Sequence, residues 1–158
     1  MGRFDETVNG ILSDGVDEGR LGRIGASIAL GDALMSAPSD SAELASVVKT
    51  ISKIESNDNP KAVGDSGTAF GAFQIHPEVV SDYNRWTGSK LQHADMFDPK
   101  VAARVCAKYL SVYGKAYERE TGLKPTPAIL ARIWNGGPEG WKKPATDGYS
   151  EKFKASYK

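Results

Sequence analysis

The stretch SDSAELASVVKTISKIE, residues 39–55, carries the pattern from which the architecture follows. Its apolar residues Leu44, Val47, Val48, Ile51 and Ile54 recur at helical spacing and form one face of an α-helix. Asp40 or Ser41 supplies an N-cap, and Glu43, three residues after Asp40, completes a capping box, so the spacing predicts that the helix begins there. Glu55 falls four residues after Ile51, which projects its carboxyl from the buried edge of the helix at the C-terminal end. Desolvation and the negative end of the helix dipole both disfavour the charged form at such a place. A carboxyl that keeps its proton near neutral pH can act as a general acid. A terminal glutamate that frays into solvent is the competing reading.

Downstream, Asn57, Asp58, Asn59 and Pro60 stop the helix and turn the chain. A polar segment from Gly64 through Asp65, Ser66, Gly67 and Thr68 to Gly71 then either lets backbone approach a ligand or forms a small hairpin. It runs into Ala72, Phe73, Gln74, Ile75, His76 and Pro77, an apolar strip with one amide. Gln74 either reads a sugar hydroxyl or acetamido group or is an ordinary buried amide bonded to backbone. A second polar element, WNGGPEG at residues 134–140, follows the helical pattern of Ala128, Ile129, Leu130, Ile133 and Trp134. That helix must stop at Asn135, because two glycines and a proline come next.

The other elements are helical. Asp98 and Pro99 open a long helix that runs to about Glu120, ahead of Thr121 and Gly122, and Thr126 with Pro127 repeats the device. Residues 78–86 form a shorter helix with Val79, Val80 and Tyr83 inward. Cys106 sits in the pattern Val101, Ala102, Val105, Tyr109, Leu110, where a small buried thiol fits. Only residues 64–75 look extended, so the fold class is mainly α (α+β), with a small hairpin.

At 158 residues and 40% hydrophobic content the chain suits one sizeable domain, spanning 39–158. Residues 1–38, with recurrent glycines, form an N-terminal extension or loosely packed helical arm. Arg20 and Arg23 before the stretch 24–35 faintly resemble a leader, but Asp32 interrupts it and several acidic residues precede it. No run approaches the roughly eighteen apolar residues of a membrane span, so no stable membrane insertion is expected. The net charge is zero, which gives no field favouring nucleic acid. His76 and His93 are the only histidines and Cys106 the only cysteine, so no metal site of the usual kind is expected. Without a phosphate loop or dinucleotide fingerprint, no cofactor is expected either. Lys142, Lys143, Lys152, Lys154 and Lys158 form a solvated basic surface or attract an anionic wall polymer.

The run Glu55, Ser56, Pro60, Ala62, Val63, Gly71 and Gln74 resembles the signature of the lysozyme-like superfamily, in particular soluble-type lytic transglycosylases. Asn135 to Gly140 is similar to the Asn-Gly-Gly-Pro-x-Gly element of invertebrate-type lysozymes. Two departures stand out: three residues separate Gly67 from Gly71 where the transglycosylases usually have two, and Cys106 is alone where the lysozymes are rich in disulfides. The resemblance covers roughly residues 40–153. It implies a two-lobed, lysozyme-like helical domain with the hairpin beside a cleft.

It also implies that Glu55 is the acid, with Asp65 the best second carboxylate. Ser56, Gln74, Asn135 and Tyr149 are implied as substrate-binding residues, although Tyr149 lies four before Phe153 and core packing competes. Trp134 and Trp141 either stack on sugar rings or are buried indoles. The implied partner is the glycan strand of peptidoglycan, cut at the β-1,4 bond between N-acetylmuramic acid and N-acetylglucosamine, in a periplasmic, extracellular or virion-associated setting. Two carboxylates would make the enzyme a muramidase-type hydrolase. Glu55 alone, acting as acid and then base, would make it a lytic transglycosylase that forms a 1,6-anhydro product. A glycan-binding module without turnover, and a structural component of a virion or secretion machine, are the alternatives.

Overall fold

The computed structural model describes the backbone of residues 29–158 and the side chains from residue 40 onward. The expectations for residues 1–28, including the first part of the leader-like stretch, lie outside the described residues. Helix α1 spans Ala29–Ser56. The predicted start at Asp40 or Ser41 is therefore corrected: the helix passes straight through the capping box. Ala29, Leu30, Ala33, Leu34 and Met35 are strong helix formers, and continuing the helix satisfies the backbone amides that a cap would otherwise serve. Pro38 removes one backbone bond from the run without ending it. Freed from capping, Asp40 pairs with Lys124.

The stripe on α1 lies where the spacing places it. Val47, Val48 and Ile51 are fully buried, with Leu44 and Ile54 packed at the edge. The far end is tied off tightly. Asn57 and Asp58 both turn left-handed, at φ 55° and 62°. Their amides return to the carbonyls of Lys53 and Ser52 at 2.9 and 3.2 Å, and the buried Ser52 hydroxyl donates to Asp58 Oδ1 at 2.7 Å.

Strands β1 (Val63–Gly64) and β2 (Ala69–Phe70) pair antiparallel, with Val63 opposite Phe70 and Gly64 opposite Ala69. A short 3₁₀ turn, Asp65–Gly67, joins them. A further bridge from Phe70 to Ile75 folds the apolar strip back onto β2. The predicted extended stretch is thus a minimal hairpin with a return, and it buries Ala69, Ala72, Phe73 and Ile75.

Helix α2 (Pro77–Thr87) follows, then a 3₁₀ turn at His93–Phe97. Helix α3 (Pro99–Thr121) is capped by Asp98, whose carboxylate accepts from the amides of Lys100 and Val101, and Gly122 ends it at φ 75°. Helix α4 (Pro127–Gly136) is capped by Thr126, and α5 covers Asp147–Ser156. Proline at the first helical position follows the cap in α3 and α4, as the sequence predicts. α3 packs against α1, α2 and α4, and α4 against α5. Cys106 lies in the centre of this core with no accessible surface, the place expected for a small thiol. Among the described residues no helix is long and apolar enough to cross a membrane. The architecture is mainly α with one small hairpin, lysozyme-like in its layout.

Candidate active site

Glu55 sits on the last turn of α1 and points into a cavity of about 340 Å³. Its walls come from five other parts of the chain, among them Val79 of α2. The hairpin contributes Gly64 and Asp65, the return strip Gln74 and His76, α3 Tyr109, and α4 Trp134 and Asn135. Burial opposes ionisation and is the largest influence on Glu55, pushing its pKa up. Hydrogen bonds from Tyr149 and Trp134 work the other way, because each donates to the charged form. The Tyr149 hydroxyl lies 2.9 Å from Glu55 Oε1 and itself titrates far above the ordinary tyrosine range, through burial and the neighbouring carboxyl. Burial thus favours the protonated form of this carboxyl, and the Tyr149 hydroxyl fixes its orientation.

Asp65 reaches the rim of the same cavity from the turn of the hairpin. Its side chain is 69% exposed and accepts from His76 Nε2 at 2.9 Å. Asp65 and Ser66 adopt φ 48° and 57°, left-handed values that non-glycine residues hold at a cost of order 1 kcal/mol each. Gln74 is also left-handed, at φ 53°, and its Nε2 donates to the carbonyl of Gly71 at 3.0 Å. The amide lies directly over Gly64, where a Cβ would collide with Gln74 Oε1. Glycine at 64 is thus what lets the hairpin close over this side chain.

Ser56 does not line the cavity. Its hydroxyl donates to the carbonyl of Ala72 at 2.7 Å and accepts the amide of Asn59 at 3.0 Å, stitching the end of α1 to the return strip. Asn135 is exposed at the end of α4 and lines the cavity. Trp134 lies against Tyr109 edge to face, with centroids 5.3 Å apart. Trp141 is elsewhere, packed on Tyr117 with the Lys142 ammonium over its ring. A larger cavity of about 1390 Å³ borders α1 elsewhere, lined by Ser46, Lys49, Thr50 and Lys53. Its acidic lining residues already have structural partners: Asp58 accepts from the Ser52 hydroxyl, and Asp98 caps α3. Among the described residues no cluster of His, Cys, Asp and Glu has the makings of a metal site.

The Asn-Gly-Gly-Pro-x-Gly element is held from behind. Gly140 packs so close to the carbonyl of Arg132 that a Cβ would overlap it. Thr146, 1% exposed, accepts from Arg132 Nε at 2.8 Å, and its hydroxyl lies 2.8 Å from the carbonyls of Gly140 and Lys143. Arg132 also pairs with Asp147 at 2.9 Å. Thr146→Val keeps the shape but strands buried polar partners, which should destabilise the protein by about 1–3 kcal/mol in denaturant unfolding. An unchanged midpoint would show that water replaces the hydroxyl.

Two elements remote in sequence, the acid on α1 and the asparagine loop after α4, thus face one cavity. The chain matches the family model described as transglycosylase SLT domain over residues 35–154. This chain is a member of the transglycosylase SLT family. No curated protein and no solved structure matches it. As a transglycosylase SLT domain it is a glycosidase-like enzyme acting on peptidoglycan, and the expected superfamily and enzyme class hold. The sequence reading overlooked two groups at this cavity: the Trp134 indole, whose hydrogen bond favours the charged form of Glu55, and His76 as the partner of Asp65. His76 had a faint signal, since it lies two residues beyond Gln74 across the buried Ile75.

Proposed function

We propose that the protein is a lytic transglycosylase in which Glu55 serves alone, first as acid and then as base. The protonated carboxyl donates to the glycosidic oxygen of the β-1,4 bond between N-acetylmuramic acid and N-acetylglucosamine, releasing the glucosamine side as an alcohol. The carboxylate left behind then takes the proton of the muramyl 6-hydroxyl as that oxygen bonds to the anomeric carbon, which returns Glu55 to its starting form. The observation that carries this reading is the contrast between the two carboxyls at the cavity. Glu55 is half-buried and held by Tyr149, whereas Asp65 is exposed and ion-paired with His76. Gln74 from the return strip and Asn135 from the end of α4 are the residues proposed to hold the aminosugars.

A second reading is favoured by one fact: Asp65 shares the cavity with Glu55 and opposes its ionisation. There Asp65 would stabilise the oxocarbenium-like state or align water, making the enzyme a hydrolase. Mass measurement of fragments released from purified peptidoglycan separates the two. Fragments lighter by one water, still formed by Asp65→Asn, support the transglycosylase. Reducing-end fragments lost in that variant support the hydrolase.

A further inference from the structure

We propose that His76 is a positioning residue for the cleavage reaction: paired with Asp65 at the rim of the cavity, it fixes the charge that faces Glu55. The inference rests on the assignment of Glu55 as the acid. His76 Nε2 and Asp65 Oδ2 are 2.9 Å apart, and both residues line the cavity that holds Glu55. They arrive from different elements, Asp65 from the hairpin turn and His76 from the N-cap position of α2, so the pair joins the hairpin to that helix beside the acid.

Exposed ion pairs add little to stability. Lys154 with Glu151 is such a pair, and it does not lie at the cavity. The pair at 65 and 76 differs because it shares the cavity with Glu55, where its two members act on the acid in opposite directions, after burial and the hydrogen bond from Tyr149. The Asp65 carboxylate opposes ionisation of Glu55, and a positive charge on His76 favours it. Together their fields offset each other at the acid, and removing either partner leaves the other acting alone. The remaining groups facing Glu55 are Tyr149 from α5, Trp134 from α4, and Tyr109 and Cys106 from α3. Burial keeps both tyrosines and the thiol uncharged, and an indole does not titrate. Among the described residues, Asp65 and His76 are therefore the charges by which this site tunes its acid.

The test compares the full chain with His76→Gln, Asp65→Asn and His76→Lys, by pH–rate profile on peptidoglycan and by NMR titration of the Glu55 carboxyl carbon. The basic limb marks the loss of the Glu55 proton. His76→Gln should move that limb up by a few tenths to about one pH unit, Asp65→Asn should move it down by a similar amount, and His76→Lys should keep it near wild type. Opposite displacements are what coupling by charge demands. A hairpin merely loosened by a broken ion pair would shift both variants the same way or neither, and either result in the titration overturns the proposal. The titration needs no turnover, so even an inactive variant reveals the direction of the displacement. Glu55→Gln keeps the two levels apart: if it cleaves like wild type, the acid assignment fails with everything built on it. If it is inactive and the displacements do not oppose, only the role of His76 fails.

Discussion

Glu55→Gln is expected to lower glycan cleavage by about 10³-fold or more while leaving the fold intact, because the acid that faces the cavity is replaced by an amide. General acid–base steps contribute about 10²–10⁴-fold each, and the proposed cycle uses the same carboxyl twice. Glutamine keeps an acceptor for the Tyr149 hydroxyl, which donates to Glu55 at 2.9 Å, so the structural cost is small. Stability should move the other way. The folded pKa of Glu55 lies above its ordinary value, so between the two the folded state binds more protons than the unfolded one. Stability therefore falls as pH rises through that window, and above it the wild type carries an ionised carboxyl in a desolvated place. Thermal melts of wild type and variant should coincide below about pH 4, and the variant should melt at least as high at neutral pH. Undiminished fragment release by the variant would remove Glu55 from the chemistry.

Phe73→Ala should cost about 3–5 kcal/mol, the largest loss from any single truncation considered, and lower the melting temperature by about 10 °C or more. Phe73 has no accessible surface and stands between Ala72 and Gln74 in the strip that folds back on the hairpin. Its ring is part of the main core, together with Ile51 of α1 and Met96 of the turn before α3. Removing it undercuts the strip that carries Gln74 and His76, so cleavage should decline well below the melting temperature. Circular dichroism melts alongside fragment release check both effects. A melting point within about two or three degrees of wild type would mean that the strip is not anchored through this residue.

The elements that could be read in advance were those set by neighbours along the chain. The stripe Val47, Val48, Ile51 and the caps Asp98 and Thr126 involve contacts within one or two turns, so spacing alone reveals them. The start of α1 misled for the same reason. Asp40, Ser41 and Glu43 form a good local cap, but the helix-forming residues before them let the ladder continue. Within the site, Glu55 was visible because its position follows from the register of its own helix. The hydroxyl that holds it belongs to Tyr149, which the resemblance to known enzymes places beside the acid while periodicity offers core packing as a serious competitor. Ser56 lies next to the acid in sequence, yet its hydroxyl turns to the carbonyl of Ala72.

What the chain of residues determined unaided was a helical domain with one polar hairpin and a glutamate at a helix end where charge is disfavoured, since both depend on short-range periodicity and burial. Only tertiary structure decided which groups meet that glutamate: Tyr149 and Trp134 as donors, and His76 drawn onto Asp65 at 2.9 Å. The reason is physical. Proton affinity responds to desolvation and to charges a few ångströms away, and those distances are set by how α1, α4, α5 and the hairpin pack, a property that no local spacing encodes.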